Sequence, residues 1–247
     1  VKTVLFIPVF NQVRELPTVL AELSAEALPV DAVLLVNNGS SDGSEELVRS
    51  ATDKYGYHYI DLPENLGVGY SFIKATEWAL ERGFDTFSVI ASNGKMLPKE
   101  LNRVLEPISS GRADYVTGSR FLDGGSFPNL PRFRRLSIPL VGFFVRVLYG
   151  VWLTDATCGY KAYKLDLFRR AGFDWRSPSL NTYGFEYYLY GKVLRDKGIK
   201  WCEVPITMRY PGGKAPYSKI KPFKGWYQML KPWLMARCDR SGFARMV

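Results

Sequence analysis

From Thr3 to Ile90, short apolar runs alternate with amphipathic stretches of helical period. Thr3 to Pro8 reads as a strand buried on both faces, because nothing polar follows Thr3. Residues 14–25 set Leu16, Val19, Leu20 and Leu23 on one helical face. Val33 to Val36 is a second apolar run; Asn37 to Ser44 is a polar turn opening a helix, with Ser44 as its N-cap. Tyr57 to Leu62 is a third strand, Asn65 to Gly69 leads into a helix through Ala75, Ala79 and Leu80, and Thr86 to Ile90 is a fourth strand. This alternation, with short connections, predicts an α/β fold with a doubly wound, mostly parallel sheet flanked by helices.

Ligands of such sheets bind beyond the carboxyl ends of the strands. The turns after strands one, two and four are Phe10–Gln12, Asn37–Asp42 and Ala91–Lys95, and all three fall on that edge. Asn, Gly and Ser form turns without any ligand. Three polar turns at equivalent strand ends point to one shared site.

Beyond residue 95 the pattern predicts a helix near 98–110, a strand over Tyr115–Gly118 and a Gly/Pro-rich loop from Asp123 to Pro131. A basic, then apolar helix follows over Arg132–Tyr149. Its longest uncharged run, Leu136 to Val145, is far short of the ~20 apolar residues of a membrane span. Thr154 to Lys161 reads as loop then strand, Gly184 to Lys197 as a helix, and Ile199 to Met208 as a final strand. Tyr217 to Arg237 interleaves lysines with Phe223, Trp226, Tyr227 and Trp233. That mixture suits a membrane interface; it equally suits a C-terminal helix packed on the domain with a solvated lysine face.

Charge sharpens the picture. The net +9 is local: Asp123 and Asp155 bracket an acid-free stretch holding Arg132, Arg134, Arg135 and Arg146. Glu203 and Asp239 bracket another, with Arg209, Lys214, Lys219, Lys221, Lys224, Lys231 and Arg237. An anionic partner at one region is the implication. No helix-turn-helix, zinc-finger or RNA-binding signature accompanies it, so nucleic acid is not an expected partner. Cys158, Cys202 and Cys238 are scattered without a CxxC, which fits a reducing compartment and argues against a disulfide framework. The lone His58 lies within an expected strand and reads as structural. No signal-peptide pattern is visible, since Val1 opens a strand pattern directly.

Ile7-Pro8-Val9-Phe10-Asn11, Val36 to Ser44, Asn65 to Gly69, Gly118-Ser119-Arg120-Phe121 with Gly124-Gly125, Asp155-x-Thr157-x-Gly159-Tyr160-Lys161, Glu203-Val204-Pro205-Ile206 and Ser218-Lys219 occur in that order. In this order they resemble a family 2 glycosyltransferase of the GT-A fold, within it the polyprenyl-phosphate sugar synthases. The resemblance extends to about Lys219. It implies one GT-A domain over 1–213, with a nucleotide-sugar half (1–118) and an acceptor half (119–213), followed by a basic-aromatic segment over 214–247.

The resemblance also implies roles. Pro8, Phe10, Gln12, Asn37, Asn38, Ser40 and Asp42 would hold the base and ribose of a nucleotide-sugar. Ser92 and Asn93 would face its diphosphate; on charge alone, Lys161, Arg209, Lys214 and Lys219 are the cations available to stabilise the leaving diphosphate. Arg120, Arg134, Arg135 and Ser137 would lie near the phosphate of a lipid-phosphate acceptor. Asp155 and Glu186 are the carboxylates available as a base, Asp155 first; capping a loop or pairing with Arg120 is its structural alternative. A phosphate acceptor, with a second pKa near ~6, is already a nucleophile at neutral pH and needs positioning more than a base.

The departures are systematic. Acids usual in the family are replaced by Gln12, Asn37, Asn38, Ala91 and Asn93, all in the three strand-end turns. The metal-binding Asp-x-Asp is thereby lost. Carboxylates beside a diphosphate are tolerable only with a cation between them; without it they repel at ~4 kcal/mol for a pair 4 Å apart near a surface. Losing metal and acids together is self-consistent, and Lys95 can supply positive charge directly, unless it is an ordinary turn lysine. The expectation is a metal-independent, inverting glycosyltransferase with no cofactor. It moves a sugar from a nucleotide-sugar to a polyprenyl-phosphate-like acceptor, with Asp155, Arg120 and Lys95 as catalytic candidates. Cytoplasmic placement, peripheral on the inner face of a membrane, goes with it. The alternatives are a catalytically silent scaffold and a metal-free transferase with a soluble acceptor.

Overall fold

The computed structural model describes residues 1–170, 175–181, 184–210 and 224–239. Its centre is a seven-stranded sheet of order β3-β2-β1-β4-β6-β5-β7. The strands are β1 (Thr3–Val9), β2 (Ala32–Asn38), β3 (His58–Leu62), β4 (Thr86–Val89), β5 (Tyr115–Ser119), β6 (Lys161–Lys164) and β7 (Trp201–Pro205). The helices are α1 (Leu16–Ala25), α2 (Ser44–Tyr55), α3 (Val68–Glu81), α4 (Leu101–Ser109), α5 (Arg132–Tyr149), α6 (Leu167–Arg170), α7 (Gly184–Arg195) and α8 (Lys224–Cys238).

β1 is continuously apolar because both its faces are covered. Val4 and Phe6 face one core, with residues of α3, α5, α7 and α8 such as Ala75, Val141, Phe185 and Trp233. Leu5, Ile7 and Val9 face the other, with Leu16 and Val19 of α1, Val48 of α2 and Val104 of α4. The period of two along the strand thus divides its side chains between two helical layers.

β6 decides where the chemistry can lie. It runs antiparallel between β4 and β5, against the sense of every other strand. Lys161, its first residue, therefore lies opposite Val89, the last of β4, and opposite Thr117 near the end of β5. The loop feeding β6, with Asp155 and Thr157, is carried to the same edge as the turns after β1, β2 and β4.

Two expectations change here. Asn37 and Asn38 are not in the turn: they close β2, paired in register with Asp61 and Leu62 of β3, and both are buried. Ser44 is not the N-cap: it is the first residue of α2, behind Gly43, and its hydroxyl donates to Asp42 Oδ1 at 2.6 Å. The turn after β2 is tight enough to need glycine. Gly39 has φ +64°, and a Cβ there would meet the Glu64 backbone at 2.3 Å.

The C-terminal stretch is described from Lys224. α8 packs on the domain through Trp233, which is fully buried against the rings of Tyr149, Tyr187 and Tyr190. Tyr227 and Leu234 stay exposed. Tyr217, Lys219 and Phe223 lie outside the described residues. No helix among the described residues is long and apolar enough to cross a membrane.

Candidate active site

The turns after β1, β2 and β4 are laced to one another. Ser92 Oγ donates to the Pro8 carbonyl at 2.7 Å, tying the end of β4 to β1. Asn11, at φ +49°, accepts from the Ser41 amide on Oδ1 at 2.9 Å, while its own amide donates to Ser40 Oγ. The Gln12 amide donates to Ser44 Oγ at 2.8 Å, and the Val13 amide to Asp42 Oδ2 at 3.0 Å. The expected donor-side residues Pro8, Gln12, Ser40, Asp42 and Ser92 thus form one backbone cradle, with Phe10 beside it in the turn after β1.

Asn37 and Asn38 stand behind that cradle. Asn37 Nδ2 donates to Asp61 Oδ1 at 2.7 Å and its Oδ1 accepts from the Ser40 amide. Asn38 Nδ2 donates to Asn65 Oδ1 at 3.1 Å, and its Oδ1 accepts from the Leu66 amide. Their side chains are occupied in holding the cradle's floor.

At the position of the lost Asp-x-Asp, the residues do not fit a divalent cation. Ala91 offers no ligand, Ser92 Oγ is engaged with Pro8, and Asn93 Oδ1 accepts from the Lys95 amide at 3.2 Å. Among the described residues no group of three or more His, Cys, Asp or Glu comes together as a cation site. Two residues beyond Asn93 the chain carries a cation, Lys95. The Lys95 ammonium sits 5.5 Å from the centre of the Tyr210 ring. Burial, followed by the charges of Arg134 and Arg120, brings its pKa down to about 8, with Glu15 opposing.

Arg120 and Asp155 form a buried pair beside it. Arg120 Nε donates to Asp155 Oδ2 and Nη2 to Oδ1, both at 2.6 Å. Nη2 also donates to Thr157 Oγ1 at 2.7 Å, and Nη1 to Tyr210 Oη and Met208 Sδ. The five N–H donors of the guanidinium are all taken, and Arg120 is only 2% exposed. Burial disfavours its charge, but Asp155 outweighs burial and raises the Arg120 pKa. Asp155 accepts in addition from the Arg120 and Thr157 amides. Its own amide donates to Glu203 Oε1 at 3.0 Å, and Glu203 Oε2 takes the Thr154 amide and hydroxyl. This is the pairing alternative foreseen for Asp155, and in this state its oxygens hold Arg120.

Lys161 Nζ, buried, pairs with Glu186 Oε1 at 3.1 Å, so the expected donor-side lysine is joined to the second of the two candidate bases. Arg134 is half-buried on the first turn of α5, while Ser137 is buried one turn on, its hydroxyl donating to the Arg134 carbonyl at 3.4 Å. Arg135 is exposed and stacks over Phe127 at 5.2 Å. Arg209 is bound to Glu22 of α1 at 2.8 Å and to the Gly94 carbonyl. Lys214 and Lys219 lie outside the described residues.

Tyr210 and Tyr187 escaped the sequence reading. Tyr210 touches both Lys95, whose ammonium lies over its ring, and Arg120, which donates to its hydroxyl; the Tyr187 ring lies 5.4 Å from Lys161 Nζ. Neither belongs to a polar turn, and only adjacency to Arg209 and Glu186 marks them in the sequence.

The model of the family described as "Glycosyl transferase family 2" matches residues 4–172. An undecaprenyl-phosphate mannosyltransferase of Micrococcus luteus is 34% identical over 203 residues, 81% of each chain. A polyprenol monophosphomannose synthase of Mycolicibacterium smegmatis is 29% identical over 210 residues, 83% of this chain and 77% of the relative. Among solved structures, glucosyl-3-phosphoglycerate synthase from Mycobacterium tuberculosis, in complex with phosphoglyceric acid, superposes with a TM-score of 0.67 at 16% identity, covering 96% of this chain and 80% of that one. The sheet with its one reversed strand, the laced strand-end turns and the match across most of the chain agree: this chain belongs to glycosyl transferase family 2 and has the GT-A fold.

Proposed function

We propose that this glycosyltransferase moves a hexosyl group from a nucleotide-sugar to a polyprenyl phosphate at a membrane surface, and does so without a divalent metal. The observation that carries the reading is Lys95, whose ammonium, with Arg134 nearby, stands at the strand end where relatives of the resemblance place acids. The names of the Micrococcus luteus and Mycolicibacterium smegmatis relatives support the acceptor class and make a mannosyl donor the first to try.

The chemistry asks little of a general base. An acceptor phosphate oxygen forms a bond to the anomeric carbon from one face. The anomeric carbon–oxygen bond to the diphosphate breaks on the other, and the nucleoside diphosphate leaves with the electron pair. Configuration inverts. Developing charge on the leaving group is met by a preorganised ammonium in a partly desolvated site, where such a group is worth more than in water. Arg134, at the start of α5, is the cation offered to the acceptor phosphate. Arg120, with every donor engaged, holds Asp155, Thr157 and Tyr210 in place, and the Tyr210 ring is the neighbour of the Lys95 ammonium.

The test is transfer of a labelled sugar to a polyprenyl phosphate in EDTA, beside calorimetric binding of UDP, GDP, CDP and dTDP with and without magnesium or manganese. Transfer and tight binding of one nucleotide, both unchanged by EDTA, are expected. Strict metal dependence overturns the metal-free mechanism. No binding of any nucleotide favours a silent scaffold.

A further inference from the structure

α5 is apolar on two sides. Its inner face carries Ile138, Val141 and Val145 into the core. Its outer face carries Phe133, Leu136, Leu140, Phe143 and Val147, which are 57 to 73% exposed. At about 100° per residue these five fall within an arc of about 80°, running the length of the helix opposite the buried stripe. Trp152, just past the helix, is 51% exposed, with the Arg146 guanidinium 5.5 Å from its ring. Arg132, Arg135 and Arg146 are exposed, flank one margin of the stripe, and lie in a stretch without a carboxylate from Asp123 to Asp155. A contiguous exposed apolar row on a soluble-type helix marks an interaction surface.

We infer that the outer face of α5 is a docking surface for an anionic lipid bilayer. On this surface the helix lies in the interfacial plane, with Phe133, Leu136, Leu140, Phe143 and Val147 in the acyl boundary and the arginines at headgroup level. Charge selects this occupant. A second copy seated on the same stripe brings Arg132, Arg135 and Arg146 against their equivalents with no acid on the helix to answer them. Anionic headgroups answer all three, and an aromatic ring beside an arginine suits the headgroup level. The surface identified is α5 rather than the lysine-aromatic C-terminal stretch, whose Trp233 is buried in the core.

The inference deepens the proposed use of a lipid-linked acceptor and rests on it for its purpose. The first turn of the same helix carries Arg134 on its inner side, and its charge reaches Lys95. With the outer stripe in the bilayer, an acceptor phosphate at headgroup level arrives beside Arg134 while its hydrocarbon stays in lipid.

The experiment is co-sedimentation at physiological salt with phosphatidylcholine vesicles, with and without phosphatidylglycerol. It compares the protein with Leu136→Asp/Leu140→Asp. Transfer to a short-chain, water-soluble polyprenyl phosphate and the sedimentation-velocity mass are measured in parallel. Leu136 and Leu140 are exposed, so the fold is expected to survive, as a thermal melt will report. The parent protein should bind the phosphatidylglycerol vesicles, and the double variant should bind at least about tenfold less tightly while keeping its turnover of the soluble acceptor. A parent that ignores these vesicles, or a variant that binds them as well as the parent, overturns the docking face. So does a parent dimer that the variant dissolves without any vesicle binding. If the vesicle result holds but the parent does not turn over the soluble acceptor, the docking face stands and the acceptor reading fails.

Discussion

Asn37 of β2, itself buried, donates its side-chain amide across a paired register, at 2.7 Å, to Asp61 of β3, whose carboxylate is partly open to solvent. The amide at 37 is therefore matched to a neighbouring carboxylate, whatever the nucleotide does. An acid here would face Asp61 directly. Asn37→Asp is expected to destabilise the fold by about 2–4 kcal/mol at neutral pH, in part offset by Arg49, which lies 3.2 Å from Asp61. The crowded carboxylates titrate higher in the folded than in the unfolded state, so the loss is full above the folded pKa values and shrinks as pH falls through them. Urea titrations at pH 7 and near pH 4 check this; an equal loss at both removes the charge explanation.

Much of the fold was legible. β1, α1 and α5 announce themselves through uninterrupted apolar runs or helical spacing, and Arg132–Tyr149 is observed as expected. The expected β2 stops two residues short at its C-terminal end because Asn37 and Asn38 are polar, and their partners Asp61 and Asn65 are distant in sequence. The reversal of β6 carries no local signal either: antiparallel placement is decided by what the strand lies between. That reversal joins Lys161 to Glu186 and Asp155 to Arg120, so sequence alone could nominate these residues but not say which engage one another. At Ala91 and Asn93, close to Lys95 in the chain, the charge argument for the lost acids is the one proposed here. At Asn37 the nearer cause is Asp61.

Lys95 is expected to give the site a pH dependence. Burial, Arg134 and Arg120 bring its pKa down to about 8 in the free protein, so the ammonium is present below that pH and lost above it. Affinity for a nucleoside diphosphate, and kcat/KM, should fall as pH rises through about 8. A bound diphosphate stabilises the ammonium and shifts the midpoint upward in the complex. Lys95→Ala should weaken diphosphate binding by roughly 1–3 kcal/mol and flatten this limb. Lys95→Arg should flatten it while retaining affinity. A pH profile that is the same in Lys95→Ala as in the parent would assign the limb to another group.

Arg120 and Asp155 should behave as one structural unit. Removing either partner leaves a buried charge, and Arg120→Gln or Asp155→Asn is expected to cost about 3–5 kcal/mol of stability. The double variant should cost clearly less than the two losses together, since each single variant already forfeits the pair. Additive losses in a denaturation cycle would show that the two residues act separately. Were Asp155 instead a general base, Asp155→Asn would remove turnover while leaving stability near that of the parent.

Restoring the lost acids tests the strand end itself. Ala91→Asp/Asn93→Asp sets two carboxylates where the diphosphate is expected, and metal-free nucleotide binding should be lost. Manganese should rescue it poorly, because the Lys95 ammonium competes for the same negative field and repels an incoming cation. Adding Lys95→Ala to the pair removes that competitor, so the triple variant should bind nucleotide with manganese and lose it in EDTA. The order matters: a double variant already fully rescued by manganese would mean that Lys95 does not occupy the cation's place. A double variant that binds without metal as well as the parent would move the diphosphate away from the end of β4.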